Sequence, residues 1–221
     1  MPGLLAIVFT RLLKEPPAAP TKTAWPGFFA FLRYWKEAPR DYRRLTTGLL
    51  LFALFNSSDV FLLLGAKQAG LSDTGTIGVY IFYKLVYALF AFPLGALADR
   101  IGVKRVFLIG LVLIAAVYFG MATAKGLVMV TVLFLLYGLC AASTEGIPKA
   151  WIGHVVKKEE MASASGTYAG LQSICALGAS SLAGALWFAF GPAVTFTVTA
   201  VMALVVMGYL LLRLPDPRSA D

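Results

Sequence analysis

Six apolar blocks, each about as long as a helix that crosses a hydrocarbon core, constrain this chain more than any other feature. Lipid offers no partner to a free backbone amide, so blocks of this kind must be helices and not single strands. They fall near residues 46–65, 76–97, 103–122, 127–151, 163–187 and 192–212. The turns between them are short and carry chain breakers: Ala69-Gly70-Leu71-Ser72-Asp73, Lys125-Gly126 and Gly191-Pro192. With 59% of its 221 residues hydrophobic and 14% charged, the chain has too little charge for a water-soluble domain of its size. The expected fold is an all-α membrane protein with six transmembrane helices.

The formal net charge of +8 does not point to nucleic acid, because the basic residues sit in short segments between apolar blocks. Of the 19 Lys and Arg residues, all but Lys67, Lys84, Lys125 and Lys149 lie before span 1, between spans 2 and 3, between spans 4 and 5, or after span 6. The positive-inside rule therefore places both termini in the cytoplasm, as an even number of spans requires. Residues 25–45 interleave Trp25, Phe28, Phe29, Phe31, Tyr34 and Trp35 with Arg33, Lys36, Arg40, Arg43 and Arg44. That mixture suits an amphipathic helix in the headgroup layer, where membrane lipid is the partner. The expected organisation is 1–24 as linker, 25–45 as interfacial segment, 46–212 as six-helix bundle and 213–221 as a cytoplasmic tail.

Enzyme chemistry is not expected. The single histidine, His154, has no serine or aspartate arrangement around it in sequence, and no metal-ligand cluster, other cofactor motif or phosphate-cradling glycine loop is visible. Cys140 and Cys175 each sit inside an apolar run and read as small core residues.

The segment joining spans 2 and 3 reads Gly95-Ala96-Leu97-Ala98-Asp99-Arg100-Ile101-Gly102-Val103-Lys104-Arg105. Gly95 would let helices approach closely at a span end, and Gly102 would supply the reversal into span 3. Asp99 suits the positive end of a helix dipole, while Arg100, Lys104 and Arg105 reach for phosphates or carboxylates. The whole run resembles the signature of the major facilitator superfamily, G-x-L-a-D-R-x-G-r-K-R, and departs from it at Val103, where a basic residue is more usual.

The resemblance covers all six spans and implies one half of a twelve-helix transporter. The basic segment ahead of span 1 resembles the central linker of such a protein, residues 1–13 resemble a remnant of its sixth helix, and Thr144-Glu145-Gly146 resembles part of its tenth. Spans 1–6 are therefore expected to correspond to helices 7–12. A lone half implies a partner: a second six-helix chain resembling the N-terminal half, or a second copy of this chain. The implied function is a subunit of a two-chain secondary transporter of a bacterial cytoplasmic membrane, moving a small solute or drug-like molecule by alternating access and coupled to an ion gradient. A homodimeric transporter and a non-transporting membrane scaffold or assembly factor remain alternatives.

Polar residues inside spans are costly and mark candidate sites. Asn56, Asp59 and Lys84, with Tyr83 and Tyr87, form the candidate solute or ion pathway; Asp59 and Lys84 are read either as a functional ion pair or as one fixing helix register. Glu145 and Lys149 are read as a gating pair working with the signature loop, or as a surface pair. Span 5 is rich in small residues, with Ser163, Ser165, Gly166, Gly170 and Ser173 on it. By residues alone this suits packing within its own bundle as well as an interface. The family resemblance favours the interface, with the N-terminal end of span 5 facing the partner's signature-loop aspartate.

Overall fold

The computed structural model describes residues 30–56 and 58–214. The expected linker at 1–24 and nearly all of the tail at 213–221 lie outside the described residues, as do Trp25, Phe28, Phe29 and the side chain of Phe31. Contacts divide the chain into Met1–Ala30 and Phe31–Asp221, and the bundle belongs to the second unit. Among the described residues every regular element is helical: α1 (Ala30–Glu37), α2 (Arg40–Phe55), α3 (Asp59–Gln68), α4 (Asp73–Ile101), α5 (Val103–Met121), α6 (Gly126–Thr144), α7 (Ile147–Val155), a 3₁₀ turn (Lys158–Glu160), α8 (Met161–Phe190) and α9 (Pro192–Arg213).

Six helical stretches are long and apolar enough to cross a membrane: Arg40–Gln68, Asp73–Ile101, Val103–Met121, Gly126–Val155, Lys158–Phe190 and Pro192–Arg213. They coincide with the six expected blocks, but most extend beyond them, because polar first and last turns continue the helix past the hydrocarbon. The glycines expected at the turns, Gly70, Gly102, Gly126 and Gly191, all have positive φ. Gly102, at φ +102°, ends α4 and starts α5 in a single residue. A side chain there is strained by about 1–3 kcal/mol, so Gly102→Ala should lower the melting temperature of the purified protein even though a Cβ at that position meets nothing within 4 Å.

Two of the six spans are not continuous, which the apolar pattern did not show. Span 1 is α2 followed by α3, and span 4 is α6 followed by α7. The turns at one end of the bundle are tied together, with the Gly126 amide donating to the Ala69 carbonyl at 2.9 Å. Ser72 caps α4 by accepting from the Gly75 amide at 3.2 Å, and Lys67 pairs with Asp73 at 2.6 Å.

The core forms two clusters stacked along the bundle. One lies toward the turns at Leu71 and Met121, around Leu62, Tyr83, Tyr118, Phe134 and Phe196. The other lies toward the signature loop, around Tyr42, Phe107, Trp151, Tyr168 and Leu210. The two helix breaks sit at the level between them. At the signature-loop end α1 folds against α2, with Tyr34 and Trp35 edge-on to Tyr42 at 5.5 and 6.2 Å. The Tyr34 hydroxyl donates to Glu160 at 3.0 Å. Burial, and then the neighbouring Glu160 carboxylate, push the Tyr34 pKa up to about 12, so Tyr34 remains the donor of this bond.

Candidate functional site

Span 1 leaves the helix at Asn56, with φ −83° and ψ 94°, and resumes at Asp59. Ser58 restarts it, its hydroxyl accepting from the Val60 amide at 3.4 Å. Asp59 is thus the first residue of a new helix, not one turn beyond Asn56 on a continuous one. Span 4 stops at Thr144 and resumes at Ile147, with Pro148 in the first turn, where its missing amide costs nothing. The breaks occupy the first span of each run of three, and interrupted spans at matching positions are where transporters of repeated architecture place their sites.

Both breaks open onto one recess of about 390 Å³, lined by Asn56, Thr144, Glu145, Lys149, Tyr168 and Gln172 among others. Glu145 and Lys149 are exposed to it and, among the described residues, form no ion pair with each other. The expected ion pair is not made, although Glu145 and Gly146 both keep right-handed helical dihedrals and the chain runs on into α7 with little change of path. The Asn56 side-chain carbonyl is buried with no partner. Buried polar atoms without a partner are uncommon, and this one belongs to a residue that lines the recess.

Beside the recess, Asp59 collects groups from two further spans. It accepts hydrogen bonds from the Tyr83 hydroxyl of α4 and from the Tyr137 hydroxyl of α6 at 2.6 Å. Lys84 of α4 pairs with it at 3.4 Å, with the side chains of Lys84 and Asp59 42% and 33% exposed. The Lys84 ammonium also lies 4.6 Å from the Tyr83 ring centre, 5.7 Å from that of Tyr80 and 6.0 Å from that of Tyr87. Tyrosine faces stabilise a cation that lacks full hydration. Through Asp59 these contacts join α3 to both α4 and α6.

The signature loop differs in detail from expectation. Gly95 does not bring helices together within this chain, since a Cβ there would meet nothing within 4 Å. Instead it borders a recess of about 270 Å³, shared with Asp99, Tyr87, Gly146 and Ile147. Gly95 and the break in span 4 therefore face the same space. Lys104 is 7% exposed and donates to the Leu214 carbonyl just past the end of α9, holding a free helix end rather than an anion. Asp99, Arg100 and Arg105 each have interactions of their own.

Span 5 has two unlike faces. Ala164, Thr167, Tyr168, Ala179 and Ala183 are buried, and the Ala164 carbonyl accepts from the Tyr42 hydroxyl at 2.8 Å. On another face Ser163, Gly166, Ala169, Ser173, Ala176 and Ser180 are exposed, while Ser165 and Gly170 are half-buried. A Cβ at Gly166 would meet nothing within 4 Å. The small residues here are therefore not explained by packing inside this bundle.

Sequence reasoning named Asp59, Lys84 and Tyr83 and, from Pro148, a limit to span 4, but it did not pick out Tyr137 as a site residue and it missed the break in span 1. The available signal there was Ser58 before Asp59, a helix-start pattern inside an apolar block. Among the described residues no group of His, Cys, Asp and Glu could hold a metal ion.

Comparison with known proteins agrees with this architecture. Residues 66–221 match the family model described as Major Facilitator Superfamily. The chain is 29% identical over 216 residues, 95% of its length, to an uncharacterized MFS-type transporter of Methanocaldococcus jannaschii. It spans about half of that relative, 52% of its length. No solved structure matches.

Proposed function

Because the chain belongs to the major facilitator superfamily, a family of multi-pass membrane transporters and not of enzymes, we propose that it is one six-helix half of a two-chain secondary transporter. On this reading spans 1–6 correspond to helices 7–12 and both termini are cytoplasmic, in a bacterial cytoplasmic membrane. A second six-helix chain, resembling an N-terminal half, supplies the other wall. A small solute passes through the recess beside Asn56, Glu145 and Lys149, and the Asp59–Lys84 pair couples its passage to an ion gradient.

The observation that carries this reading is the exposed small-residue face of span 5, next to an open recess lined by spans 1, 4 and 5. Small residues let helix backbones approach closely in lipid, and a second bundle seated there would close the cavity. Asp99 at the signature loop would then meet a helix end of the partner and hold one of the two alternating states.

The test is co-expression with a six-helix facilitator-like chain encoded nearby, followed by purification through a tag on this chain alone. A stable one-to-one complex is expected, and Gly166→Leu should abolish it while leaving the elution profile and melting of the isolated chain unchanged. A homodimer that ignores the second chain would move the second wall to another copy of this protein. A monomer in every combination would leave only the scaffold reading.

A further inference from the structure

Arg40, Arg43, Arg44 and Thr47 follow one another by three, one and three residues, so they share one face of α2, just where its apolar stretch begins. Trp35 of α1 and Tyr209 of α9 enclose this face in an open recess of about 340 Å³. Both walls are held in place. Trp35 stacks edge-on to the buried Tyr42 at 6.2 Å, and the Tyr209 hydroxyl donates to the Arg44 carbonyl at 3.2 Å. Gly48 permits the close crossing of α9, since a Cβ there would lie 2.5 Å from Leu210 and 3.1 Å from Tyr209.

The nearby carboxylates leave this recess positive. Glu37 is paired with Arg33 at 3.2 Å and Glu160 accepts from Tyr34. Asp41 reaches only Arg44, at 3.9 Å, and Arg40 and Arg43 have no ion-pair partner among the described residues. The first turn of α2 has no side-chain cap at Pro39, and Asp41 in that turn offsets only part of its positive end. Guanidinium forks match phosphate oxygens in pairs, which an ammonium cannot do. Tryptophan and tyrosine are the residues that settle at the headgroup level of a membrane.

We propose that this recess is a phosphate site, seating a phosphate group between the Arg40 and Arg43 guanidiniums with Trp35 and Tyr209 as its walls. The phosphate belongs either to an anionic lipid headgroup or to a soluble phosphate ester. The site is separate from the solute recess and stands whether or not the chain transports.

Native mass spectrometry of the full chain, released from detergent in the presence of phosphatidylglycerol, phosphatidylcholine or glycerol phosphate, tests it. Wild type should retain phosphatidylglycerol in preference to the zwitterionic lipid. Arg40→Gln with Arg43→Gln should weaken that binding about tenfold or more, the order expected for two arginines at a membrane surface. Arg33→Gln, outside the recess, should leave it unchanged. Glycerol phosphate bound as tightly, and lost in the same double variant, would assign the site to soluble esters. If the double variant does not fold, Arg40→Lys with Arg43→Lys keeps the charge without the fork and should still weaken binding. Equal retention of the two lipids with no glycerol phosphate bound would overturn the proposal. So would phosphatidylglycerol binding that survives the substitutions.

Discussion

Asp59→Asn is expected to reduce solute flux about a hundredfold in liposomes carrying the assembled transporter, while the protein still folds. The difference between the two effects is the point of the experiment. The Asp59–Lys84 pair is partly exposed, and such pairs contribute about 0–1 kcal/mol to stability. Asparagine keeps the volume and an acceptor for Tyr83 or Tyr137, so melting should fall only slightly. A hundredfold loss of flux corresponds to about 2.7 kcal/mol of barrier, well beyond that stability term. Lys84→Met alone should cause a loss of similar order, because Asp59 would then hold its charge without a counter-ion. Combining the two substitutions separates the readings of the pair. If the pair only fixes helix register, removing both charges should restore flux along with melting. If it couples the ion gradient to the solute, melting returns and flux does not. The measurement is uptake of a solute identified by screening labelled small molecules, compared at equal amounts of incorporated protein.

Gly138→Ala should be the most destabilising small substitution in the bundle. Gly138 lies on α6 where it crosses α4, and a Cβ there would sit 2.8 Å from Val86 Cβ and 2.9 Å from the Tyr83 carbonyl oxygen. A flexible side-chain tip could move aside, but a backbone carbonyl one residue from Lys84 cannot move without displacing the helix. Forcing an extra carbon into a closed contact costs about 1–3 kcal/mol. The shift would also carry Tyr83 and Lys84 away from Asp59, so flux should fall with stability. Gly78→Ala provides the control on the same helix α4. It is exposed, nothing lies within 4 Å of its Cβ position, and alanine there should stabilise by about 0.4–1 kcal/mol. Melting in detergent should therefore move in opposite directions for the two variants. Equal shifts would mean that α4 and α6 do not cross as closely as described.

Much of the fold was legible because the signals that carry it are local. An apolar block of about 20 residues can only be a spanning helix, and the glycines at Gly70, Gly102, Gly126 and Gly191 mark reversals by their own conformational freedom. The signature loop is contiguous, so it could be read as a string. Asp59 and Lys84 were also visible, because a charge inside an apolar block stands out wherever the helix goes.

The break at Asn56 was not legible in the same way, whereas Pro148 marked the one in span 4. Hydropathy is read over a window as long as a span, and two or three polar residues do not lower it enough to register. Nor could local pattern show that Tyr137 donates to an aspartate 78 residues earlier, or that Lys104 caps a carbonyl 110 residues later. Gly95 shows the limit most plainly: its residue type permits close helix approach, but whether a helix comes near depends on how α4 lies against its neighbours. The six spans, their turns and the family were thus determined by the sequence alone, through hydrophobicity and backbone freedom acting residue by residue. Which polar groups meet, how the two breaks come to line one recess and which face of span 5 is left bare were decided only by tertiary packing, because each depends on the distance between residues far apart in the chain.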